Sequence, residues 1–210
     1  MFERIVSQVT TVLLNYDMNL QPTGIPVGIS NRHIHLSELH LEALFGSGYV
    51  LTKDKDLAQV GEFAARETVT LVGPKGVIRG VRVLGPTRGM TQVEISRTDG
   101  FNLGITPPLR DSSHIDDSPG IVVVGAQGAV KLERGVICAA RHVHMHDNDA
   151  RRFRVADGDR VVIKIDGPRG GTFTNVLVRV NPNFRLEFHI DLDEANAAGL
   201  NNGDLVSLMP

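Results

Sequence analysis

The 210 residues carry 22 Lys and Arg against 24 Asp and Glu, a formal net charge of −2, so no general attraction to nucleic acid or anionic membrane is built in. Hydrophobic residues make up 41%, enough for a sizeable core, yet no apolar run reaches the length of a membrane span. A single cysteine excludes an internal disulfide and suits a reducing cytosol, while 22 glycines and 10 prolines among short Val/Ile runs favour a β-rich fold with tight turns.

The first element expected is an amphipathic helix over Met1–Met18. Phe2, Ile5, Val6, Val9, Leu13 and Tyr16 follow helical spacing, and Gln21-Pro22-Thr23-Gly24 reads as a linker. Its two readings are a helix packed on the body and a detachable helix that docks on a partner. It lacks the small-residue cleavage site of a secretory signal.

From Ile25 the chain enters a pattern that recurs. Asn31-Arg32-His33-Ile34-His35-Leu36 returns as Ala140-Arg141-His142-Val143-His144-Met145, and a weaker third copy is Phe188-His189-Ile190-Asp191-Leu192. Residues two apart on a strand face the same way, roughly 6–7 Å apart, so both imidazoles of one H-x-H reach one metal or two adjacent ones. Ile34, Val143 and Ile190 then point into a core. Each copy is followed by a turn and a short apolar run, as in Asp157-Gly158-Asp159-Arg160-Val161 and Asn202-Gly203-Asp204-Leu205-Val206. Ser37–Leu44 and Asp193–Ala198 have helical composition, so the unit reads as strand, short helix, turn, strand, an internal repeat.

Between the copies lies a different pattern. Lys53-Asp54-Lys55-Asp56 reads as a charged turn. Thr68–Val72, Val77–Leu84 and Thr91–Ser96 read as strands of an antiparallel meander, and Pro107–Pro119 as a long polar loop of the length that carries function. Ile121–Val124 and Gly135–Ala139 are further strands, followed in the second half by Arg160–Asp166, Thr172–Val180 and Arg185–Leu192. The expected division is residues 1–24 as a terminal segment, 25–66 with 140–210 as a first β domain, and 67–139 as an inserted second.

Two copies of H-x-H, each preceded by Arg, make chance pairing a poor account of His33, His35, His142 and His144. On Arg185–Asp193, His189 sits on the polar face opposite Leu186, Phe188, Ile190 and Leu192. Neutral imidazole suits zinc, and five histidines exceed what one tetrahedral zinc needs, so two metals are expected. On pattern alone, Glu94 is an ordinary strand carboxylate and Arg88 a surface arginine on the glycine-flanked turn Gly85-Pro86-Thr87-Arg88-Gly89. Cys138 reads as a buried, inert strand thiol, and His40, His114 and His146 take no special role. No glycine-rich phosphate loop of the G-x-G-x-x-G or G-x-x-x-x-G-K type is present.

Val27–Leu36, Gly85-Pro86-Thr87-Arg88, Gln92-Val93-Glu94 and Ala140–Met145 together resemble the PduL-type phosphate propanoyltransferases, the phosphotransacylases of bacterial microcompartments. The resemblance spans about Ile25 to Pro210. It implies two β-barrels with two zinc ions held between them, and acyl transfer between coenzyme A and inorganic phosphate. It implies that His33, His35 and Glu94 hold one zinc whose fourth place is open to coenzyme A sulfur or phosphate. His142, His144 and His189 would hold the second, and Arg88 the phosphate. It further implies that the N-terminal helix is an encapsulation segment contacting shell or cargo proteins, on a homo-oligomer in a cytoplasmic microcompartment of propanediol degradation.

The chemistry fits these ligands. Phosphate is already an anion and needs positioning and charge neutralisation more than a general base. Rival readings are a hydrolase using zinc-bound water, which would not require phosphate, and a non-catalytic metal-stabilised barrel, which would not bind coenzyme A. A cupin reading fails on the glycine and glutamate offsets around His33 and His142.

Overall fold

The computed structural model describes residues 24–209, so the expected N-terminal helix lies outside the described residues. The rest is mainly β. One closed six-stranded barrel is formed by β1 (Ile25–Ser30), β11 (His142–Met145), β12 (Arg160–Ile165), β13 (Gly171–Val180), β14 (Glu187–Asp191) and β15 (Leu205–Leu208). Around it the order is β1-β14-β11-β13-β12-β15, closed by β15 against β1.

A nine-stranded sheet forms the second half, an open half-barrel. Its members are β2 (His33–His35), β3 (Lys53–Asp56), β4 (Phe63–Val72), β5 (Val77–Gly85), β6 (Gln92–Glu94), β7 (Leu109–Arg110), β8 (Ile121–Val124), β9 (Ala129–Leu132) and β10 (Val136–Ala139). The order is β7-β10-β6-β2-β5-β4-β8-β9, with β3 paired to β4.

Alternation builds both cores. On the half-barrel, Ile34, Val69, Leu71, Val81, Val83 and Val93 are buried; in the barrel, Val143, Ile163, Val176, Val178, Phe188 and Ile190 are. The residues between the paired histidines, Ile34 and Val143, are both fully buried, as the period of two requires.

Among the described residues there are four short helices: α1 (Glu38–Phe45), α2 (Arg97–Leu103), α3 (Asp147–Phe153) and α4 (Leu192–Ala198). At seven or eight residues none is stable alone, and each is pinned by an N-cap side chain. Ser37, Ser96, His146 and Asp191 accept from the backbone N–H groups of His40, Asp99, Asn148 and Glu194.

The two halves follow one plan. Each H-x-H strand lies between an antiparallel neighbour carrying a third polar side chain and a parallel neighbour. β2 lies between β6 and β5, and β11 between β14 and β13. α1 and α3 follow the H-x-H strands, and α2 and α4 follow the third-residue strands. The lead strands are exchanged between halves. β1, which runs into β2, pairs with β14 in the barrel, whereas β10, which runs into β11, pairs with β6 in the half-barrel.

Several sequence expectations are corrected here. Strand membership puts residues 33–139 in the half-barrel, and only β1 of the segment 25–66 in the barrel, because the chain crosses between halves at Asn31-Arg32. The third repeat copy is not a third unit; His189 lies on the antiparallel partner of the second, and its counterpart in the first half is Glu94. β4 and β5 form the expected hairpin, but β6 does not continue it, since β2 inserts between β5 and β6. Lys53–Asp56 is an exposed strand rather than a turn. Helix α2 was not anticipated, although Ser96-Arg97-Thr98-Asp99 carries a cap signal.

Candidate metal centres in one cleft

Register brings the site residues together. Across β2 and β6, His33 stands opposite Glu94 and His35 opposite Gln92; across β11 and β14, His142 stands opposite His189 and His144 opposite Glu187. The result is two three-donor clusters, His33/His35/Glu94 and His142/His144/His189, each with its donor atoms within 4.8 Å of one another. Both line a single cleft of about 790 Å³, together with Arg88.

The ring orientations repeat as well. His33 Nδ1 lies 2.8 Å from the Asn31 carbonyl oxygen, and His142 Nδ1 lies 2.8 Å from that of Ala140. A carbonyl only accepts, so each Nδ1 carries the proton and donates, and each Nε2 is left with its lone pair. His35 Nδ1 and both ring nitrogens of His144 are buried with no hydrogen-bond partner among the described residues. Buried orphan nitrogens of this kind are costly unless something outside the chain binds them. In the centres His142 stacks on His189 at 4.9 Å, and His144 on Phe184 at 4.1 Å.

Electrostatics favour neutral rings. Burial, then the charges of His33 and Arg88, pushes His35 down to about 3. Burial and His189 push His142 down to about 4, and burial with His189 and His142 takes His144 to about 2. Burial alone would raise the Glu94 carboxyl, but His33, His35 and a hydrogen bond from Ser112 outweigh it and hold Glu94 below the usual carboxylate range. His142 also acts on Glu94, which puts the two clusters within electrostatic reach. Neutral imidazoles plus one ionised carboxylate are the donors a borderline divalent ion such as zinc prefers, so the residues fit the group.

Neighbours that sequence reading missed complete the site. Gln92 Nε2 donates to Glu94 Oε1 and to Ser112 Oγ, and Ser112 Oγ donates to Glu94 at 2.9 Å. Ser112 comes from the long polar loop that length alone marked out. In the barrel, Glu187 Oε2 lies 2.9 Å from His189 Nε2 and accepts from Gln59 Nε2 at 3.2 Å. A Cβ added at Gly28 would meet the Glu187 carboxyl carbon at 2.7 Å, so glycine there leaves room for this carboxylate, which a side chain would push aside. The signal for Gln92 and Glu187 was their place two residues before the third donor on the same strand.

Arg88 donates to Glu62 at 2.9 Å, and Glu62 belongs to the loop between β3 and β4 that also carries Gln59. Cys138 is buried, 3.4 Å from Asp191 Oδ2; burial and that carboxylate push its thiol up to about 12. His40 bonds Thr91 and His146 caps α3, which accounts for both without chemistry.

With this geometry in place, comparison with known proteins is direct. The family profile for phosphate propanoyltransferase matches residues 26–201. A protein of Thermotoga maritima named phosphate propanoyltransferase is 55% identical over 195 residues, covering 92% of this chain and 93% of its own length. Proteins of the same name from Rhodopseudomonas palustris and Salmonella typhimurium are 48% identical over 215 residues and 53% identical over 179 residues. The first spans 98% of this chain and 95% of its own length, the second 85% of each.

Proposed function

This chain belongs to the phosphate propanoyltransferase family of acyltransferases, and from that premise we propose that it moves a short acyl group, propanoyl foremost, between coenzyme A and inorganic phosphate at a two-zinc site. The observation that carries the reading is the pair of three-donor clusters, one buried and one partly buried, on one cleft that Arg88 also lines. His33, His35 and Glu94 would hold one zinc; His142, His144 and His189 would hold the other. Zinc bound there supplies Lewis acidity toward a thioester carbonyl and affinity for a departing thiolate.

The chain's own residues do the rest. The guanidinium of Arg88 binds and orients phosphate by charge-assisted hydrogen bonds, sharing or displacing Glu62. A phosphate oxygen attacks the acyl carbon, the carbon–sulfur bond breaks, and acyl phosphate and coenzyme A thiolate result. Phosphate is anionic at neutral pH, so no side chain has to remove a proton from it. Cys138 cannot supply a covalent route, since its thiol is buried, turned to Asp191 and held protonated. Burial holds His35 and His144 well below the usual imidazole range and so keeps both rings neutral.

Thiol release from propanoyl-CoA, followed with and without phosphate, tests the reaction. Release should require phosphate and yield an acyl phosphate that hydroxylamine traps. Equal rates in both would replace the transferase with a zinc hydrolase.

For residues 1–24 we propose the encapsulation role, with shell or cargo proteins as partners inside a bacterial microcompartment. The support is the apolar stripe Phe2, Ile5, Val6, Val9 and Leu13 ahead of a Pro/Gly linker. Among the described residues no helix is long and apolar enough to cross a membrane. Deleting residues 1–21 should leave turnover intact and abolish co-sedimentation with shells. If the segment is instead part of the catalytic body, the deletion will lower the melting temperature by several degrees.

A further inference from the structure

We propose that Arg32 and Arg141 are positioning residues, each stapling together the two ligand-bearing segments of one metal centre. The proposal rests on the two-zinc reading above. Arg32 immediately precedes His33, and Arg141 immediately precedes His142. Arg32 Nε donates to Asp99 Oδ2 at 2.9 Å, and Arg141 Nη1 donates to Glu194 Oε1 at 2.6 Å.

The acceptors occupy equivalent places. Asp99 and Glu194 are both the third residue of the helix that follows the third donor, α2 after Glu94 and α4 after His189. Each arginine therefore reaches from the H-x-H segment to the segment carrying the third donor of the same centre. The ladder between those strands is short: only three residue pairs join β2 to β6, and three join β11 to β14. The ion pair holds the same two segments at their ends.

Both pairs are partly shielded from water, with the Arg32 and Arg141 side chains 34% and 28% exposed. The Asp99 side chain is 5% exposed and Glu194 23%, and Arg141 lies 4.8 Å over the Phe173 ring while also donating to the Thr174 carbonyl. A shielded, charge-assisted contact holds its geometry better than a solvated one. The carbonyls that orient His33 and His142 belong to Asn31 and Ala140, the residues just before each arginine. Fixing the arginine backbone thus fixes the carbonyl on one side and the imidazole on the other. The arrangement occurs twice, at matching places on two different stretches of the chain, which a chance surface ion pair would not do.

Zinc affinity of the purified full chain, measured by competition with a chromophoric chelator in the absence of substrate, tests this. Arg32→Met should weaken one zinc by about 10- to 100-fold and leave the other unchanged, and Arg141→Met should weaken the second alone. His33→Ala and His142→Ala identify which equivalent is which. Asp99→Asn should reproduce Arg32→Met, and Arg32→Met/Asp99→Asn should lose no more than either single variant. Arg141→Lys should recover only part of the loss, having no planar fork.

Wild-type affinity at both centres in Arg32→Met and Arg141→Met would overturn the proposal. So would a loss spread over both centres by either substitution, or a fall in metal-free melting temperature with zinc affinity intact. If Arg32→Met does not fold, Asp99→Asn reads the same pair. A wild-type chain that binds no zinc would instead sink the two-centre reading itself.

Discussion

At the scale of single residues, the carbonyl oxygens of Asn31 and Ala140 set the chemistry of the site. By accepting from Nδ1 they leave Nε2 of His33 and His142 as the electron donor, while burial keeps His35, His142 and His144 unprotonated at neutral pH. On the proposed reading, Arg88 is the residue that binds phosphate. Arg88→Ala should raise the phosphate KM or lower kcat by roughly 10- to 150-fold, the worth of about 1.5–3 kcal/mol for one charge-assisted contact. Zinc content should stay at the wild-type level, because Arg88 binds Glu62 and no donor of either cluster. Unchanged initial rates at subsaturating phosphate would remove Arg88 from the site. The paired histidines were legible in sequence because strand alternation is local. Glu94 and Arg88 gained their roles there only through the family resemblance, because what faces them is decided by distant pairing.

Elements are held by a few buried polar contacts, and Glu67 on β4 is the clearest case outside the cleft. It accepts from the Tyr49 hydroxyl at 2.9 Å and from the Thr52 backbone N–H at 3.1 Å, so it ties the loop after α1 to the sheet. Burial would raise its carboxyl, but its own backbone, Tyr49 and Thr52 outweigh that and hold it below the ordinary range. A depressed folded-state pKa stabilises the fold above the unfolded carboxylate range, and the gain fades as pH falls through the folded value. Glu67→Gln should therefore lower stability at pH 7 by about 1–3 kcal/mol, and the deficit should shrink as the solution is acidified toward pH 3. Thermal melts of both proteins across that range measure it; a constant deficit would show that only packing is lost. Strand ends were close to expectation where β-branched apolar residues recur between clear turns, as in β5, β8 and β13. Strand β3 was missed because its four residues are all exposed, so alternation leaves no trace in them.

Over the whole molecule, exchange of lead strands makes the halves interdependent. β1 completes the barrel, so the barrel is built from two pieces of chain that flank the continuous half-barrel segment, residues 33–139. Side chains cross the boundary too: Gln59 donates to Glu187 and to the Arg185 carbonyl, and Asp193 accepts from the Thr98 backbone N–H. The metal-free protein should therefore unfold in one cooperative calorimetric transition. Two resolved transitions would show that the exchanged strands do not couple the halves.

By itself the sequence determined the β-rich class, the two H-x-H strands, the buried faces of Ile34 and Val143, and the family. All of these rest on patterns within a few residues or on motifs that travel together. Tertiary structure alone decided that His189 matches Glu94 rather than forming a third repeat, that the chain crosses between halves at Asn31-Arg32, and that Gln92, Ser112, Glu187 and the two arginine staples surround the donors. These follow from which strands pair and in what register. That choice is made by the fit of two complete cores, and no local stretch of sequence contains it.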